Sequence, residues 1–124
     1  MTEKLERAVR RALPRGFLKR MPRRVKVIAV SDKEARRLNR KYRKKDYPAS
    51  VLSFRYGGEY GEIIICPALI RREAKATGRS YAYQMTWMVV HGIVHLAGVH
   101  HERSGKLAGK IEKLEQSILD KLFS

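Results

Sequence analysis

The stretch 81–102, YAYQMTWMVVHGIVHLAGVHHE, constrains this chain more than any other. His91 and His95 are four residues apart, so on a helix they leave from one face, one turn above the other. Around them stand Met85, Trp87, Met88, Val89, Val90, Ile93, Val94 and Leu96. A helix apolar on nearly all sides is a buried one. Imidazoles on such a helix need partners, because an unpaired buried polar group costs about 1–3 kcal/mol. Gly98 suits the left-handed conformation that stops a helix, and three residues later comes His101. A turn at Gly98 can carry that third imidazole back over the first two. Two histidines at this spacing are more often hydrogen-bonded core residues than ligands. A third beyond a glycine turn shifts the reading to metal, since three neutral imidazoles and an open fourth position describe a catalytic zinc site.

The spacing H-x3-H-x2-G-x2-H also matches the ligand skeleton of metzincin proteases, but not their chemistry. Those carry Glu directly after the first His as general base. Gly92 holds that place here, so a peptidase of this type has lost its base.

At 124 residues the chain is expected to form a single domain, 1–124, with one modest core. Its charge is lopsided. Residues 1–45 hold 18 basic and 4 acidic side chains, and residues 46–124 hold 10 and 8. One half therefore carries nearly all the positive field, which suggests a polyanion partner, nucleic acid above all. Solubility is the plainer reading of the same charge. No Trp- or Phe-rich amphipathic face accompanies the cations, which disfavours a membrane surface. Cys66, the one cysteine, excludes an intrachain disulfide and lies in an apolar run as a small core residue. The N-terminal residues are charged throughout, unlike a signal peptide, and no apolar run of about 18 residues exists. The expected location is the cytoplasm.

Apolar residues at helical spacing predict a helix over 3–13, ended by Pro14 and Gly16. The β-branched run 25–30 reads as a strand after a basic approach. Ser31 and Glu34 form a capping box for a second helix. That helix sets Ala35, Leu38 and Tyr42 on one face and Lys33, Arg36, Arg37, Arg40 and Lys41 on the others. Such a face can be merely solvated, although five like charges on a short helix repel one another. A loop over 43–48 follows, then strands at 51–54 and 62–66 joined by the glycine-rich 56–61 as an antiparallel hairpin. Pro67 suits the first turn of a third helix running to Gly78, and Ser80 can cap the histidine helix. The last helix, about 106–122, shows the stripe Leu107, Ile111, Leu114, Ile118, Leu122. The expected fold is α+β: a small mixed β-sheet of three clear strands, about five helices, and the buried histidine helix packed on the sheet.

Four stretches together resemble the YbeY family of bacterial rRNA maturation factors, described as zinc-dependent endoribonucleases. They are His91-Gly-Ile-Val-His95-Leu-Ala-Gly98-Val-His-His101 against H-G-x-x-H-L-x-G-x-D-H, Leu38-Asn-Arg-Lys-Tyr-Arg43-Lys-Lys-Asp46 against L-N-x-x-Y-R-x-K-D, Val51-Leu-Ser-Phe54 against V-L-S-F, and Gly61-Glu-Ile-Ile-Ile-Cys66 against G-D-I-x-I. They keep the family's order from about Val25 onward. Ala49-Ser50 stands where Thr-Asp or Thr-Asn is common, Glu62 where Asp is, and His100 where an Asp could orient a ligand imidazole. The family's usual first strand is also missing, so the sheet is either one strand short or repaired by another segment.

The resemblance implies one Zn2+ per chain on His91, His95 and His101, and a functional Arg43 facing the metal. A planar guanidinium holds phosphate by two parallel hydrogen bonds and stabilises charge as a phosphodiester is attacked. On its surroundings alone, Arg43 is a basic residue in a basic loop. The implied activity is single-strand-specific RNA hydrolysis in rRNA maturation, with RNA as partner and the small ribosomal subunit as a setting. Arg36, Arg37, Arg40, Lys41, Lys44 and Lys45 would follow the RNA backbone. Either a metal-activated water attacks or it takes the ribose 2′-OH proton; the residues do not choose. Glu102 could assist, and His100 could contact phosphate, donate a proton or compete as a ligand, though surface roles are simpler for both. A rival reading is a ribosome-associated RNA-binding factor with a mainly structural metal, and a metal-dependent peptidase comes third.

Overall fold

A computed structural model describes residues 2–97 and 105–123, the side chains of 2 and 105–108 excepted. The elements run α1 (Thr2–Ala12), α2 (Arg15–Arg20), β1 (Arg24–Ala29), α3 (Asp32–Arg43), β2 (Val51–Tyr56), β3 (Tyr60–Ile65), α4 (Pro67–Thr77), α5 (Tyr81–Leu96) and α6 (Gly105–Phe123). The class is α+β with a three-stranded mixed sheet, as expected, but there are six helices rather than five. The addition is α2. Pro14 lacks an N–H and so ends α1, while its carbonyl accepts from the N–H groups of Phe17 and Leu18 at 3.0 and 3.2 Å and starts a new turn. Six residues are too few for a periodic signal, and the run reads as merely basic.

The strand order is β1-β3-β2. β1 runs parallel to β3, with Arg24 opposite Tyr60 and Ala29 opposite Ile65. β2 runs antiparallel to β3, with Val51 opposite Ile65 and Tyr56 opposite Tyr60. The hairpin turn includes Gly57 at φ 72°, a conformation that costs glycine little. Among the described residues no segment adds a fourth strand.

Alternation along the strands gives the sheet two unlike faces. Ile63 and Ile65 join the main core with Val25, Val27 and Val51, under α5 and α1. The same core continues through Ile70 of α4 and Ile111, Ile118 and Leu119 of α6. The other face carries Leu52, Phe54 and Ile64, and there the Tyr42 ring of α3 meets Phe54 edge-on with centroids 5.0 Å apart. The capping box at α3 is half formed: Ser31 Oγ accepts from the Glu34 N–H at 3.2 Å, while the Glu34 carboxylate turns to Arg37 instead. At α5, Ser80 Oγ accepts from the Tyr83 N–H at 3.1 Å, as its position predicts.

Two glycines let α5 sit close on the sheet. A Cβ at Gly92 would lie 2.8 Å from Ile63 Cγ2 and 3.1 Å from Ser53 Oγ. A Cβ at Gly61 would lie 3.0 Å from Pro22 Cγ and 3.1 Å from Leu96 Cδ2. The helix is further pinned by Ser53, whose hydroxyl donates to the Gly92 carbonyl at 3.0 Å.

Candidate functional site

α5 is buried along its sheet side but leaves the His91 side chain 40 % exposed. One turn on, His95 brings its Nε2 to 3.0 Å from His91 Nε2, with the rings edge to face. Glu115 of α6 lies on the far side of His91. Its side chain is only 7 % exposed, and Oε2 accepts from His91 Nδ1 at 2.8 Å while Oε1 accepts from Trp87 Nε1 at 3.2 Å. A carboxylate at Nδ1 puts the imidazole proton there and leaves the Nε2 lone pair pointing toward His95.

This donor set suits a metal. Two imidazole nitrogens that approach so closely repel unless a proton or a cation lies between them. Tetrahedral zinc with Zn–N of about 2.0–2.1 Å would separate two such ligands by about 3.3 Å, near the 3.0 Å observed. A carboxylate behind a ligand imidazole is the usual arrangement that fixes its tautomer and direction. His101, the expected third ligand, lies outside the described residues, as do Gly98, His100 and Glu102. Among the described residues no three such side chains are arranged to hold a metal ion together.

Glu115 was not foreseen, since the family pattern placed any orienting acid next to the third histidine. The residues did carry a signal. Glu115 stands four after Ile111 and three before Ile118, so it lies on the apolar stripe of the last helix. A carboxylate on a buried stripe needs partners. Arg55 was also missed. Its guanidinium donates to the Leu96 carbonyl at the end of α5, to Arg20 O at 2.7 Å and to Gly57 O at 3.0 Å. It thus places a cation against the negative end of the histidine helix.

Position 92, where a metzincin-type base would stand, faces Ile63 and Ser53 of the sheet rather than the imidazoles. A glutamate has no room there, so a metzincin-type base cannot stand at this position.

Arg43 was placed in a loop; it is the last residue of α3, exposed, and in no ion pair among the described residues. Lys44 then closes the helix in the left-handed conformation at φ 57°. The turn is held by buried Asn39, whose Nδ2 donates to Tyr47 O at 2.8 Å. The segment 44–50 leads to β2, and the hydroxyl of Ser50 donates to Met88 Sδ at 3.4 Å. Met88 is three residues before His91, so the chain that leaves Arg43 arrives one turn from the imidazole pair.

The basic residues of α3 share one groove, lined by Lys33, Arg36, Arg37, Arg40 and Lys41. Three of the four α3 cations expected on RNA pair with carboxylates of the chain, two of them as forks. Arg36 forks onto Asp46 at 2.9 and 3.1 Å, and Arg37 onto Glu34 at 2.6 and 2.8 Å. Those hydrogen bonds hold both carboxyls below their ordinary pKa. Arg40 lies 3.9 Å from Asp46, and Lys41 Nζ lies over the Tyr42 ring. Lys44 and Lys45 are exposed beyond the helix. Cys66 is buried, as expected, and its thiol is pushed up by burial. No described helix is long and apolar enough to cross a membrane.

A family model described as endoribonuclease YbeY matches residues 1–123 of the chain. An endoribonuclease YbeY from Aquifex aeolicus is 40% identical over 102 residues, which are 77% of this chain and 68% of that protein. One from Burkholderia ambifaria is 39% identical over 98 residues, 75% of this chain but 56% of that protein. The chain thus spans between about half and two thirds of these relatives. The solution structure of a protein from Thermotoga maritima superposes with a TM-score of 0.62 at 28% identity, covering 97% of this chain and 85% of that one.

Proposed function

Because the chain belongs to the endoribonuclease YbeY family, we propose that it is a zinc-dependent endoribonuclease that cuts single-stranded RNA, with ribosomal RNA as its substrate class and the small ribosomal subunit as its setting. The observation that carries this reading is the imidazole pair. His91 and His95 converge through Nε2 at 3.0 Å on a half-exposed face, and a buried carboxylate holds His91 from behind. A purely structural metal site is ordinarily closed; an accessible one leaves room for a substrate.

His91, His95 and His101 would hold the ion. A zinc ion bound there would supply Lewis acidity and a nucleophile at neutral pH. The chain's own contributions are separable. Glu115 keeps the His91 Nε2 lone pair directed at the site. Arg43 binds a phosphate oxygen pair and balances the charge that develops in cleavage. Arg40, Lys41, Lys44 and Lys45 hold the RNA backbone, with Arg36 and Arg37 contributing less because each is already forked onto a carboxylate by two hydrogen bonds, whereas Arg40 only approaches Asp46 at 3.9 Å.

The test is cleavage of single-stranded and structured RNA by purified protein, with and without chelator, beside a His95→Ala control for contaminating nuclease. Chelator-sensitive cutting that His95→Ala abolishes supports the reading. RNA binding without cutting in the zinc-loaded protein overturns it in favour of a binding factor with a structural metal.

A further inference from the structure

The outer face of the sheet, opposite α5, is covered unevenly. Leu52 and Ile64 are buried there, at the end where α3 lies. Toward the hairpin the cover ends, and the register sets Arg24, Tyr60 and Tyr56 side by side across the three strands. Tyr56 is 56 % exposed. Its ring stacks with that of Tyr60 at 5.8 Å and 25°. In the next row Lys26 stands opposite Glu62, and Glu62 accepts from both tyrosyl hydroxyls, at 3.3 Å from Tyr56 and 2.8 Å from Tyr60. Tyr56 is exposed and Tyr60 half-buried beside exposed cations, and neither ring joins the main core.

We propose that this outer sheet face is a stacking platform for single-stranded RNA, on which Tyr56 and Tyr60 receive bases while Arg24 and Lys26 hold phosphates. Exposed aromatic residues on a sheet, flanked by basic ones, bind unpaired bases because every base offers a π-face, whereas a duplex keeps its bases stacked on one another. Glu62 holds both rings in one orientation, so little freedom is lost when a base arrives. Its negative charge lies beside Lys26 rather than alone. The tyrosines are neutral at working pH: burial and Glu62 raise Tyr56, and the bond to Glu62 raises Tyr60. The C-terminal end of α3, with Arg43, lies over the same sheet face, where Tyr42 meets Phe54. The platform rests on the reading that the chain acts on RNA, and it adds a reason for single-strand preference remote from the metal.

The experiment is affinity for an unstructured RNA of about 12 nucleotides and for a duplex of equal length, at several salt concentrations. Tyr56→Ala is expected to weaken the single strand about 5- to 100-fold, with the salt slope and duplex affinity unchanged. Tyr56→Phe, which keeps the ring, is expected to bind nearly as wild type. Photocrosslinking of iodouridine-substituted RNA to the unmutated protein is expected to mark Tyr56 or Tyr60, and this readout does not depend on any variant folding. Wild-type affinity in both Tyr56→Ala and Tyr60→Ala, equal losses for duplex and single strand, or crosslinks confined to α3 and α5 would each overturn the platform. Crosslinks at the tyrosines without any cleavage would keep the platform and remove the nuclease reading. Cleavage with crosslinks elsewhere would do the reverse.

Discussion

The two helices that carry the candidate functional groups are built in opposite ways. α5 is buried along most of its length, and three of its polar groups are fixed by a neighbour from another element: His91 by Glu115, the Gly92 carbonyl by Ser53, the Leu96 carbonyl by Arg55. α3 is exposed along most of its length, holds many charges, and pairs them with carboxylates close by in the chain. Positioning a ligand atom needs groups that cannot turn away, and long-range packing provides that. Attracting a polyanion needs only charge density, which flexible exposed side chains supply and salt screens. On the proposed function, geometry belongs to α5 and field to α3, and Arg43 at the end of α3 would serve both.

The sharpest break in that division concerns Arg43. If it stabilises developing phosphate charge, Arg43→Lys lowers cleavage by ~10²–10³-fold, because an ammonium lacks the planar fork. RNA affinity and zinc content should stay nearly unchanged. Equal losses of rate and affinity in steady-state and binding measurements would make Arg43 one more phosphate anchor.

Glu115→Gln comes next. Both carboxylate oxygens are used, and an amide offers only one acceptor, so either Trp87 or His91 loses its partner. Zinc affinity, measured by competition with a chelating dye, is expected to fall about 10–100-fold. Unchanged affinity would mean that α5 orients its imidazoles without help. Gly92→Ala tests the packing beneath. The added methyl must push Ile63 aside, for a loss of about 1–3 kcal/mol in denaturant unfolding. An equally stable variant would show that the helix can lift from the sheet at no expense.

On α3 the expected effects on stability are small. Changing Arg40, Lys41, Lys44 and Lys45 to Gln should shift stability by no more than about 0.5 kcal/mol per site, yet flatten the slope of log affinity for RNA against log salt. An unchanged slope would move the electrostatic footprint off this helix. The smallest effect concerns acid. The Arg72 fork, with the Cys66 thiol, lowers the Asp32 pKa in the folded chain. A lowered folded pKa stabilises above the unfolded value and is lost as pH falls through the folded one. Arg72→Gln should therefore lose a little stability near neutral pH and show a shallower decline on the acid limb of a thermal-melt series. A parallel, uniformly lowered curve would mean that Arg72 acts through packing alone.

Local pattern made the elements legible. The apolar run on both sides of His91, the Ser80 cap, Pro67 at a helix start and the glycine hairpin each act within a few residues, so their consequences can be read along the chain. The spacing of His91 and His95 is likewise a property of one helix, and the family motif around them needs no tertiary information to match. The six residues of α2 and the closing of α3 at Lys44 escaped because a single turn leaves no period, and lysine is not the residue that usually adopts a left-handed backbone. What tertiary structure alone decided is which groups meet across the core. Glu115 reaches His91 from 24 positions away, Arg55 reaches Leu96 from 41, and Ser53 reaches Gly92 from 39. Those pairings depend on how α6, β2 and α5 stack, and no local preference encodes the distance between side chains that only packing brings together.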